Sequence, residues 1–157
     1  MSDMGGDRAA RRELRDRLLA TPAQLAVLVD RGARYRPVGD EWPTSTVVLH
    51  LLAVDEDVWV ARLRQIGEGD NPAWTWTEPE LAGREAGRTV AELVAAFAMR
   101  RAGTDAVLAA LDDAGWARTG THAVFGVLDV AGLMREALKH DDEHLADLER
   151  RAAAATR

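Results

Sequence analysis

Four stretches of this chain place apolar residues at helical spacing, and none shows the period-two alternation of a half-buried strand. The first runs from about Arg8 to Asp30, with Leu14, Leu18, Leu25 and Leu28 on one side. Pro22 inside it predicts a kink or a division into two pieces. The second opens near Thr44 or Ser45, either of which can cap the free N–H groups after Pro43. It carries Val47, His50, Leu51, Val54, Val58, Ala61 and Leu63. The third opens at "TVAE", where Thr89 and Glu92 form a capping-box pattern, and bears the stripe Leu93, Phe97, Arg100, Thr104, Leu108 and Leu111. The last starts from Asp129, a helix-capping residue type, and runs into an Ala-rich tail. Four long amphipathic helices with two substantial connections, Gly67 to Arg88 and "GWARTGTHAVFGVLD", read as an all-α bundle. At 157 residues the chain is expected to form one domain over 1–157, large enough to bury a core without staples.

Composition narrows what such a bundle does. With 20 basic against 26 acidic residues the net charge is −6, which argues against nucleic acid as a partner. The one basic cluster, Arg8, Arg11, Arg12, Arg15 and Arg17, is interleaved with Asp7, Glu13 and Asp16 and reads as a solvated helix face. There is no cysteine, so disulfides, thiolate metal sites and a cysteine nucleophile are excluded. No apolar run reaches membrane-spanning length and the start lacks a signal-peptide core, so the expected location is the cytoplasm, with no membrane partner.

The histidines carry the chemistry. Leu133, Ala137, His140, His144 and Leu148 fall on one face of the last helix, with apolar residues above and below the pair. Asp141, Asp142, Asp147 and Glu149 are assigned mostly to its other sides. His50 shares a stripe with Val47, Val54 and Ala61, so it too points inward. Buried imidazoles need partners. Either the three meet at one metal ion, or each makes its own hydrogen bond in the core. Two imidazoles at i,i+4 and a third from a facing helix can hold one ion and leave positions open for water or substrate. Nitrogen donors suit zinc, nickel, iron or copper alike. His122, in "GTHAVFG", lies off any helical face, and the absence of an "HExxH" motif leaves a zincin mechanism unsupported.

These stretches resemble the DinB-like superfamily of YfiT-type four-helix bundles. The resemblance rests on "EWPTSTVVLHLLAVDEDVWVARL", "GWARTGTHAVFGVLDVAGLM", "KHDDEHLADLERR" and "LLATPAQLAVLVDRG", and it covers nearly the whole chain. Its most specific element is a histidine early in helix two followed by a His-x-x-x-His pair late in helix four, here His50, His140 and His144. The resemblance implies a four-helix bundle with long crossover connections, commonly a homodimer. It also implies a divalent ion, zinc or nickel above others, at the three histidines. Relatives include S-transferases that use mycothiol or bacillithiol, a mycothiol-dependent isomerase, and proteins described only as metal-dependent hydrolases. The acids of helix two, Asp55, Glu56 and Asp57, depart from the commonest family spacing, so no role is carried over to them.

The expected function is therefore metal-dependent S-transfer to or from a low-molecular-weight thiol, with a small-molecule substrate. Metal-assisted hydrolysis and a non-catalytic, stress-related metal-binding bundle are the alternatives. Hydrolysis would need a carboxylate base, for which Asp57 and Glu143 are the candidates. Trp74, Trp76, Tyr35 and Trp116 are candidate pocket walls, and Arg100, on the core-facing stripe of helix three, is a candidate substrate contact. The apolar side of helix one is wide enough to serve a partner subunit as well as the core.

Overall fold

A computed structural model describes residues 4–84 and 87–156. Helix α1 (Met4–Arg31) is followed by α2 (Thr44–Val54), which passes through a π-helical turn (Asp55–Val60) into α3 (Ala61–Glu68) as one rod. Helix α4 (Val90–Ala110), the single turn α5 (Asp113–Trp116) and α6 (Val130–Ala155) complete the helices. Helix α1 packs on α4 and α6, and α2 packs on the same two, so the first two long helices stand diagonally opposite.

Ion pairs and core packing fix the directions. Arg15 reaches Asp105 and Arg11 reaches Asp113, so α1 and α4 run antiparallel. Val48 and Leu51 of α2 pack with Leu93 and Phe97 at the start of α4, while Leu63 of α3 lies in the cluster that holds Leu108 near the end of α4, so the rod and α4 run parallel. A parallel pair forces the chain to return along the whole bundle, and the segment 69–89 is that crossover. The four-helix bundle with long crossover connections is the architecture the sequence predicts. The predicted basic face of α1 is only partly solvated, since Arg11, Arg15 and Arg17 each pair with an acid of another element.

Local chemistry explains the ends. Thr89 and Glu92 form the expected capping box, Glu92 N–H donating to Thr89 Oγ1 at 3.2 Å and Thr89 N–H to Glu92 Oε2 at 2.6 Å. Asp129 caps α6 by accepting from the Gly132 N–H. Two points are corrected here, the division of α1 at Pro22 and the cap of α2. Helix α1 continues through Pro22 without division. Neither Thr44 nor Ser45 caps α2: Pro43 holds the cap position, and its carbonyl accepts from Thr46 and Val47.

A three-stranded sheet, absent from the sequence reading, closes one end. Strand β2 (Thr119–His122) pairs in parallel with β1 (Ala73–Trp74), Trp74 opposite His122, and antiparallel with β3 (Gly126–Asp129), Thr119 opposite Asp129. Gly120 lies flat on the Trp74 indole, and a Cβ there would overlap the ring. Gly126 takes φ 74° at the hairpin turn, a left-handed conformation that favours glycine.

The core has two apolar clusters. One, around Leu18, Trp59, Leu63, Leu133 and Met134, lies toward the sheet. The other gathers Leu25, Val48, Leu51, Phe97 and Leu148. Between them runs a polar layer. Asp55, Arg101 and Asp141 are each at most 2 % exposed within it. Among the described residues, no helix is long and apolar enough to cross a membrane.

Candidate metal centre

His50, His140 and His144 meet where α2 passes α6. One nitrogen from each can be chosen so that all three lie within 4.8 Å of one another. His50 Nε2 stands 3.2 Å from His140 Nε2, and the ring centroids are 4.9 Å apart for His50–His144 and 4.7 Å for His140–His144. Two nitrogens bound tetrahedrally at ~2.05 Å from one zinc would lie ~3.3 Å apart, so the closest pair is spaced as ligands would be. The face predicted for α6 is correct, since Leu133, Ala137 and Leu148 above and below the pair are buried.

The charge state suits the same use. Burial pushes the His140 imidazolium down to about 3, with further lowering from His144, His50 and Arg101. His50 and His144 are also lowered, again mainly by burial. Neutral imidazoles present the lone pairs a cation needs, without first losing a proton. His140 Nδ1 is buried with no hydrogen-bond partner among the described residues. The donor set fits a divalent cation of the zinc or nickel kind.

Three indoles surround the cluster. Trp42 lies 5.2 Å from His50, while Trp59 and Trp76 lie 6.2 and 6.0 Å from His140, centroid to centroid. Of the four aromatics expected as walls, Trp76 is here and the others are elsewhere. Trp74 is buried beneath β2 and donates its Nε1–H to Gln65 Oε1. Tyr35 donates to Glu41 and lies under the Arg150 and Arg151 guanidiniums, and Trp116 packs under Arg11.

The expected carboxylates also move. Asp57 is exposed and paired with Arg84, because the π turn advances less per residue than an α-helix and carries it off the His50 face. Glu143 is exposed. Instead, Glu78 of the crossover lies over the site, its Oε1 3.0 Å from His50 Nδ1. On α4 the inward arginine is Arg101, not Arg100, which sits at the rim on Glu56. Arg101 donates from Nε to Asp55 at 2.8 Å and from Nη1 and Nη2 to Asp141 at 2.8 and 3.1 Å. Asp141 is thus buried rather than on an outer side of α6. Burial pushes its carboxyl up to about 6, and Asp55 is raised for the same reason, each partly opposed by Arg101. His122 is structural: its Nδ1 accepts from the Val124 and Phe125 N–H groups and closes the hairpin.

A family model of the DinB superfamily matches residues 11–148. The chain belongs to the DinB superfamily. Among solved structures, this DinB chain is similar to YfiT from Bacillus subtilis, described as a probable metal-dependent hydrolase with an unusual four-helix bundle topology. The TM-score is 0.73 at 19% identity, over 91% of this chain and 87% of YfiT, and the likeness is one of fold. No curated protein matches the sequence.

Of the residues now placed at the site, sequence periodicity yields the three histidines. Trp59 follows His50 by nine positions, which regular helical rotation puts on the opposite side. Trp42 and Glu78 lie on connections, where no periodicity applies. A search for aromatic and acidic residues in the two connections flanking the His50 rod would have found both.

Proposed function

We propose that this chain is a metal-dependent S-transferase in which His50, His140 and His144 hold one divalent cation, zinc or nickel, and a low-molecular-weight thiol is the cosubstrate. The observation that carries the reading is the convergence of three neutral imidazoles from two helices within 4.8 Å. Bound there, such a cation supplies Lewis acidity and lowers the pKa of a thiol or water that it ligates. The chain's own residues supply the rest. The three neutral imidazoles offer lone pairs without net proton release, and Trp42, Trp59 and Trp76 set apolar rings beside them, a surface suited to an organic group. The chain has no cysteine, so the sulfur comes from the cosubstrate.

Hydrolysis is the second reading, favoured by the description of YfiT as a probable metal-dependent hydrolase. It needs a base in the protein; neither Asp57 nor Glu143 stands at the cluster, and the carboxylate that does, Glu78, lies against His50 and Trp76. We read the protein further as a cytoplasmic homodimer. Support for the dimer comes from Leu19 and Val27, which α1 leaves exposed, and sedimentation at micromolar concentration tests it.

The deciding experiment is metal content by plasma mass spectrometry on untagged protein, beside His50→Ala, His140→Ala and His144→Ala. About one equivalent in the wild type, lost in every variant, is expected, with conjugation of mycothiol or bacillithiol to an electrophile assayed next. A wild type that stays metal-free after reconstitution would remove both enzyme readings.

A further inference from the structure

Glu78 is not explained by the bundle. It is exposed and lies on the crossover, yet each of its oxygens has a close polar neighbour. Oε1 lies 3.0 Å from His50 Nδ1, close but off the line of a well-aligned hydrogen bond, and Oε2 accepts the Trp76 Nε1–H at 3.1 Å. The segment carrying both residues is tied down on either side. Arg62 Nη2 donates to the Thr75 carbonyl at 2.9 Å, and Arg84 pairs with Asp57 and Glu56 of the π turn. The crossover is thus anchored to the rod that bears His50.

A neutral imidazole carries one N–H, on either nitrogen, and the partner of one nitrogen decides what the other offers. His50 is buried, and Nδ1 has no other acceptor among the described residues. Its Nε2 faces His140 Nε2. The three imidazoles form the ligating cluster without Glu78, so this carboxylate stands behind a ligand rather than among them.

We infer that Glu78, held by Trp76, is a positioning residue that fixes His50 as the Nδ1–H tautomer and so turns the Nε2 lone pair toward the cation. The arrangement also assigns the proton on His140 in the cation-free protein. His140 Nδ1 is buried without a partner, so an N–H there would be lost to hydrogen bonding, whereas an Nε2–H can donate to His50 Nε2 across 3.2 Å. The inference rests on the three-imidazole reading for its purpose, but not for its test.

The test is two-bond proton–nitrogen correlation spectroscopy on the full, cation-free chain at neutral pH, with His50 assigned by its loss in His50→Gln. The wild type is expected to show His50 as Nδ1–H. Glu78→Gln, whose amide oxygen still accepts, keeps that pattern, and Glu78→Ala shifts His50 toward the other tautomer. Zinc affinity, read by competition with a chromophoric chelator, is expected to fall about 10–100-fold in Glu78→Ala and less in Glu78→Gln. Circular dichroism verifies that both variants fold. An unchanged His50 tautomer in Glu78→Ala would overturn the inference. That holds even with weakened affinity, because Glu78 would then act through its charge alone. A wild type that binds no zinc sinks the metal reading, while the spectra still decide the role of Glu78.

Discussion

Arg101 grips Asp141 with both terminal nitrogens, at 2.8 and 3.1 Å, one residue beyond His140 in the sequence. The third donor of the same guanidinium holds Asp55, and its Cζ lies 4.5 Å from the Phe97 ring centroid. One side chain therefore ties α4 to the π turn and to α6 at the level of the histidines, and it lets two carboxylates stay in the core.

Removing it should be severe. Arg101→Met leaves two buried carboxylates without a counter-charge, a loss of about 3–5 kcal/mol, which lowers Tm by roughly 10 °C in a chain of this size. Arg100→Met removes a rim pair with Glu56 and should cost about 1 kcal/mol or less. Scanning calorimetry on the two variants checks the contrast, and equal losses would contradict the assignment of Arg101 as the inward arginine.

The pH dependence has a definite sign. His50, His122, His140 and His144 are all held below their ordinary value, so the unfolded chain binds protons that the folded chain refuses. Their contribution is complete above pH about 6.5 and is lost as pH falls, for His140 down through about 3. Asp55 and Asp141 work oppositely: their raised carboxyls add stability at low pH that is lost as pH rises, for Asp141 through about 6. Four imidazoles outweigh two carboxyls between pH 7 and 5. Urea unfolding of the metal-free protein should give lower stability at pH 5 than at pH 7, and saturating zinc should raise stability at both pH values without removing that difference.

Gly120→Ala tests the sheet. The new methyl group overlaps the Trp74 indole, which cannot withdraw easily because its Nε1–H is bonded to Gln65. Overpacking of this kind costs about 1–3 kcal/mol. The expected result is a Tm lower by several degrees, and an unchanged Tm would mean that the ring has somewhere to go.

The indoles give an optical readout of the centre. Trp42, Trp59 and Trp76 lie 5.2 to 6.2 Å from a histidine ring of the cluster, so a paramagnetic ion such as copper(II) held there should quench their fluorescence. Trp76→Phe should remove part of the quenched emission, whereas Trp116→Phe should remove none. Quenching that persists unchanged in His140→Ala would place the ion elsewhere.

The helices were legible because their signals are local. Leu133, His140, His144 and Leu148 share a face by spacing alone, and Thr89 with Glu92 announces a helix start within four residues. The choice between Arg100 and Arg101 was not legible, since both lie near the inward face and only the positions of Asp55 and Asp141 on other helices select one. The π turn defeated a reading at constant rotation, moving Asp57 outward and Trp59 to the cluster. The hairpin escaped because its strands are four residues long and β3 is largely exposed, leaving no apolar alternation to detect. Glu78 depends on the path of a crossover, which no local rule fixes.

Ninety residues separate His50 from His140, and that interval orders events during synthesis. Closing a loop of this length costs about 4 kcal/mol in chain entropy beyond a constant, and helix packing alone can offset it. A nascent chain that has not yet exposed α6 owns one imidazole of the three and has no chelating pair. Capture of an ion therefore cannot seed the early fold. On the three-histidine reading the full ligand set exists only once the last helix has docked on the rod that bears His50, so the order of synthesis places the complete site late.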